Sequence, residues 1–86
     1  MNRNYFTETL EKDEKSYYNC HYVTIDDEVF VIHETVTKGE DASKLKENID
    51  MWLYSCDADG FMANYTRTFG HNDKLQCVHF PNDEIL

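Results

Sequence analysis

Apolar positions along this chain recur with two different periods. From Tyr17 to Ile25 the residues are rich in Tyr, Val, Thr and Ile, and Val29 to Val36 repeats that character after the acidic break Asp26-Asp27-Glu28. Such paired runs around a short polar break predict a β-hairpin. In its second strand Phe30, Ile32 and Val36 point one way and Val29, Val31, His33 and Thr35 the other, so both faces carry apolar area. After Lys38-Gly39-Glu40 the period lengthens. Leu45, Ile49, Trp52, Leu53 and Cys56 follow i, i+4, i+7, i+8 and i+11, which gathers them into one helical stripe, with Asp41 placed to cap a helix running to about Cys56. Glu47, Asp50 and Tyr54 fall on the opposite side of that helix, with Asp57 near its edge.

The remaining segments complete the outline. Phe6 and Leu10, four apart with Thr7 as a cap, suit a short helix over residues 4 to 15 packed by one edge. Asp57-Ala58-Asp59-Gly60 ends the main helix in a turn, Phe61 to Phe69 has strand character, Gly70 to Asp73 is a second turn, and Leu75 to Phe80 is a last strand that Pro81 stops. The order helix, hairpin, helix, hairpin predicts a small α+β two-layer sandwich, with an antiparallel sheet of about four strands carrying one main helix. The open face of that sheet carries Tyr, Thr and His residues.

Composition places this pattern in a single domain spanning residues 1–86. Aromatic residues make up 14% of the chain and supply enough large apolar area for a compact core despite a mean hydropathy of −0.71. The N-terminal stretch MNRNYFTETLEKDEK has no apolar run of the kind a secretory leader needs, and no segment is long enough to span a membrane. Three cysteines, Cys20, Cys56 and Cys77, are an odd number without repeated spacing and read as reduced thiols, so the expected compartment is cytoplasmic. The sequon Asn64-Tyr65-Thr66 lacks a secretory context.

Candidate chemistry is sparse. Cys20-His21 and Cys77-Val78-His79 lie in strands, yet no C-x₂-C or H-x₃-H clip accompanies them, and neighbours on a strand face opposite sides. Asp57 to Gly60 has the start of a calcium loop, but Thr66 stands where the bidentate Glu is required. No nucleophile elbow, zinc-protease helix, phosphate loop or dinucleotide fingerprint is present, so neither catalytic residues nor cofactors are expected. The bases are scattered and the aromatic residues interleave with acids, which excludes direct nucleic-acid binding.

Charge then narrows the field. Seventeen Asp and Glu against eight Lys and Arg leave a net charge of −9. Two base-free stretches carry most of it: Asp26, Asp27, Glu28 and Glu34 between Lys15 and Lys38, and Glu47, Asp50, Asp57 and Asp59 between Lys46 and Arg67. Such a surface repels phosphate and anionic lipid and attracts basic proteins. In size, acidity and α+β pattern the chain resembles the small inhibitors with which phages and plasmids disarm nucleic-acid enzymes, and acidic immunity proteins and antitoxins; the likeness is of general character rather than of a motif. It implies an inhibitor that occupies a basic nucleic-acid site of a partner enzyme or toxin, using those eight acids and Tyr54. A homodimeric or larger accessory assembly, joined through the Tyr-rich sheet face with Phe61, Tyr65 and Phe69, is the alternative. A metal-binding or thiol-sensing domain built on Cys20, Cys77 and the histidines is a third reading. If the two acidic stretches adjoin in the fold they make a binding surface; if they lie apart they serve solubility.

Overall fold

A computed structural model describes residues 2–81. It is an α+β domain in which one antiparallel sheet, with strand order β1-β2-β3-β4, carries two helices on one face. The strands are β1 (Arg3–Glu11), β2 (Ser16–Ile25), β3 (Glu28–Thr37) and β4 (Leu75–Phe80); α1 (Leu45–Trp52) and α2 (Ala58–Phe69) lie between β3 and β4 in sequence.

The central hairpin forms as the alternation predicts, with Ile25 opposite Glu28 and Val23 opposite Phe30. Its turn is tight because Asp26 and Asp27 both take positive φ, 54° and 67°, the left-handed pair whose twist matches that of the flanking strands. The inward row Val23, Ile25, Phe30 and Ile32 is fully buried. Phe61 of α2 packs on Phe30 at 4.8 Å between ring centroids, and Trp52 of α1 meets Phe61 edge-on at 5.8 Å.

Three elements differ from the expectation. Residues 4 to 15 begin as the edge strand β1 rather than a helix, since the four-residue spacing of Phe6 and Leu10 fits one face of a strand as well as one face of a helix. The main helix is shorter than predicted: α1 starts after Lys44, Asp41 caps nothing, and Ser43 Oγ accepts the Leu45 N–H at 3.3 Å. Its stripe nevertheless packs as read, with Leu45, Ile49, Trp52 and Leu53 buried and Cys56 against them. Phe61 to Phe69 is helix α2 rather than a strand. Asp57 does not close the preceding helix but caps this one, its carboxylate accepting the Gly60 N–H at 2.7 Å. Ala58, Phe61 and Tyr65 then repeat at helical spacing into the core. β4 accordingly pairs with β3, not with a strand at 61–69.

Candidate acidic interface

Arg3 decides whether the two base-free stretches meet. It begins β1 opposite Ile25, beside the β2–β3 turn, and its guanidinium reaches across to the α1–α2 connection. There it donates to the carbonyl oxygens of Leu53, at 2.8 Å, and of Cys56, while standing 3.6 Å from Asp26 Oδ1. Since Asp26 Oδ1 is buried without a hydrogen-bond partner among the described residues, the nearby guanidinium supplies the charge that offsets its desolvation. One side chain therefore clamps the hairpin turn to the segment between the helices. Asp26, Asp27 and Glu28 come from the first stretch, and Asp57 and Asp59, at the N-terminus of α2, from the second.

The bases lie elsewhere. Lys12, Lys15, Lys38 and Lys74 cluster at the opposite end, where Lys38 N donates to the Lys15 carbonyl and Thr35 N to that of Lys74. α1 starts from that same end and α2 runs back to it, which places Lys44, Lys46 and Arg67 away from the acidic turn. That end is mixed rather than basic, since Lys38 pairs with Glu11 at 2.6 Å, Lys74 stands 3.7 Å from Glu40, and Asp13, Glu14, Asp41 and Asp73 lie nearby. What distinguishes the acidic end is that Arg3 is its one Lys or Arg among the described residues. Glu28 is partly shielded there, its Oε1 lying 2.8 Å from His79 Nε2. Tyr54, next to the clamped Leu53 carbonyl, is 76% exposed.

Not all of the expected contact residues join this end. Glu47 and Asp50 are exposed on α1 itself, Asp50 paired with Lys46 at 3.0 Å. Glu34 is corrected outright: it is 3% exposed and unavailable to a partner. It lies on the inward face of β3, in line with Phe30, Ile32 and Val36, beneath the start of α1. Burial, the largest single influence, pushes its carboxyl up. Hydrogen bonds from His21, Ser43 and Asn19 outweigh that and hold it down at about 2. Their lengths are 3.3 Å from His21 Nε2, 2.6 Å from the Ser43 backbone N–H and 3.2 Å from Asn19 Nδ2. Behind His21 the row continues: Thr7 Oγ1 donates to Tyr5 Oη at 3.0 Å, and Tyr5 Oη meets His21 Nδ1 at 2.8 Å. Each proton then has one direction, from Thr7 through Tyr5 and His21 to Glu34, as the hydrogen-bond pattern assigns it. This network fastens the β3–α1 connection to the sheet and holds its carboxylate within the fold.

The other candidate groups are separated. Phe61 and Tyr65, expected at an intersubunit contact, are 0% and 5% exposed and belong to the core. Cys20 lies on the open face of the sheet and Cys77 on the helix-covered face, since Cys20 pairs with His33 while Cys77 stands opposite the core residue Ile32. Burial pushes both thiols up, Cys77 to about 11, away from the thiolate character that a reactive or ligating cysteine needs. Among the described residues no group of three or more His, Cys, Asp and Glu is arranged to hold a metal ion. No protein-family model, curated protein or solved structure matches the chain.

Proposed function

We propose that this protein is a small cytoplasmic inhibitor that acts by binding rather than catalysis, setting its acidic end into the basic nucleic-acid site of a partner protein. The observation that carries this reading is the Arg3 clamp, which holds the hairpin-turn acids of the first base-free stretch beside the α1–α2 connection that leads to Asp57 and Asp59 of the second. Carboxylates there take the place of phosphates, making charge-assisted hydrogen bonds to Arg and Lys while the net field of the domain speeds encounter. They stand on a tight turn and a helix N-terminus, so little ordering is required on binding. Tyr54 adds an exposed aromatic anchor at the rim. A nucleic-acid enzyme disarmed by a phage or plasmid product, or a toxin neutralised by its immunity protein or antitoxin, is the class of partner that fits.

The test uses the immobilised protein to capture partners from a lysate of its native host, followed by elution with a DNA or RNA duplex. Partners released by the duplex share the site. The double variant Asp27→Lys and Asp59→Lys reverses two exposed charges, neither of which forms a cap or ion pair among the described residues. Capture falls in that variant. Captured proteins that neither bind nucleic acid nor respond to the charge reversal overturn the reading.

A further inference from the structure

We propose that the open face of the sheet packs against the same face of a second copy of this chain. Both helices lie on the other face, and among the described residues no helix or strand covers this one. Phe6, Leu10, Val78 and Phe80 stand out from it at 56%, 45%, 53% and 44% exposure. Phe6 of β1 lies over Tyr22 of β2 at 4.8 Å between ring centroids, so the aromatic relief is already ordered before any contact forms. These residues share rows across the sheet: Phe6, Tyr22, Val31 and Val78 stand side by side, and Phe80 adjoins Val29.

Charge selects the occupant. Among the described residues Glu8 is the one Asp, Glu, Lys or Arg at an outward strand position, and Lys12 Nζ lies 5.5 Å from the outward Tyr18 ring, so this face is nearly neutral on a chain whose net charge is −9. A partner seated there must itself be apolar and nearly neutral over the same area. The identical face of a second copy meets that condition, whereas the basic groove proposed for the acidic end does not. Size agrees as well. Strands of nine, ten, ten and six residues give a flat footprint of about 550 Å² at ordinary strand rise and spacing. Protruding Phe and Tyr side chains raise the accessible area toward the roughly 800 Å² per partner of a standard specific interface. Two such sheets stack about 10 Å apart with strands nearly aligned, as in a β-sandwich, which leaves the acidic end of each copy at the margin of the contact.

Salt separates this inference from the inhibitor reading, because the two respond with opposite sign. Screening weakens capture of a basic partner but relieves repulsion between two acidic copies, so the dimer tightens. Sedimentation equilibrium of the full chain, from about 10 µM to about 1 mM at low and high salt, gives the measurement. A monomer–dimer equilibrium is expected, tighter at high salt. Phe6→Asp and Val78→Asp, on the two edge strands, each weaken it by about a hundredfold. Far-UV circular dichroism and thermal midpoints near those of the wild type show that neither exposed substitution has unfolded the domain. A wild-type chain monomeric at about 1 mM in high salt overturns the proposal, as does a dimer indifferent to both variants. A monomer that loses partner capture on Phe6→Asp also overturns it, and gives this face to a different protein.

Discussion

Replacing Glu34 by Gln removes a charge that the fold has committed to its interior, and the cost should depend on pH in one direction only. The carboxyl lies at about 2 in the folded chain against an ordinary value of 4.5. That difference corresponds to about 3 kcal/mol of stability at neutral pH, a large share of the roughly 5–15 kcal/mol typical of a domain. The side chain is 4% exposed, so solvent screening does little to reduce the figure. Because the folded value is depressed, the contribution is complete above about pH 4.5, shrinks as pH falls, and is gone below about pH 2. Urea denaturation of wild type and Glu34→Gln at a series of pH values reads it directly. The gap between the two proteins should be about 3 kcal/mol at pH 7 and close steadily between pH 4.5 and 2. A gap that stays constant with pH, or that is absent at pH 7, refutes the role of Glu34 as the buried charge fastening the β3–α1 connection.

Two further outcomes follow from the acidic end. Asp57→Ala should lower stability by about 1 kcal/mol in thermal or urea unfolding through loss of the α2 cap, while Asp57→Ser recovers all but a few tenths. Both substitutions delete the same charge, so both should weaken partner capture alike. Asp27→Gly, which relieves a side chain held at φ 67°, should raise stability by about 0.5–1 kcal/mol while reducing capture.

The hairpin was legible because both runs are rich in the β-branched and aromatic residues that a pleated surface favours and are parted by a short acidic break. The two-residue period of side-chain direction along a strand also held the fate of Glu34. A residue midway between inward Ile32 and inward Val36 must itself point inward, so its carboxylate was never available to a partner. β1 was misread because a four-residue repeat satisfies both periods, and only pairing with β2 decides between them. α2 was misread because Phe, Tyr and Thr favour strands locally, whereas burial of Phe61 against Phe30 and Trp52, with Tyr65 in the same core, rewards the helical spacing. Asp57-Ala58-Asp59-Gly60 belongs to both neighbours in sequence, and the Gly60 N–H that Asp57 accepts is what assigns it to the start of α2. Arg3 left no signal, since a single base near the chain start does not announce that it will bridge two acidic segments some 23 and 53 residues away.

The most direct test of the acidic end as a surface for a basic site is the affinity of the captured partner as salt rises. Titration of that partner at increasing ionic strength should show a steep loss, at least about tenfold between about 50 and 200 mM salt, with a shallower slope for the Asp27→Lys, Asp59→Lys variant. An affinity that holds steady or rises with salt, or a slope unchanged in the variant, contradicts it.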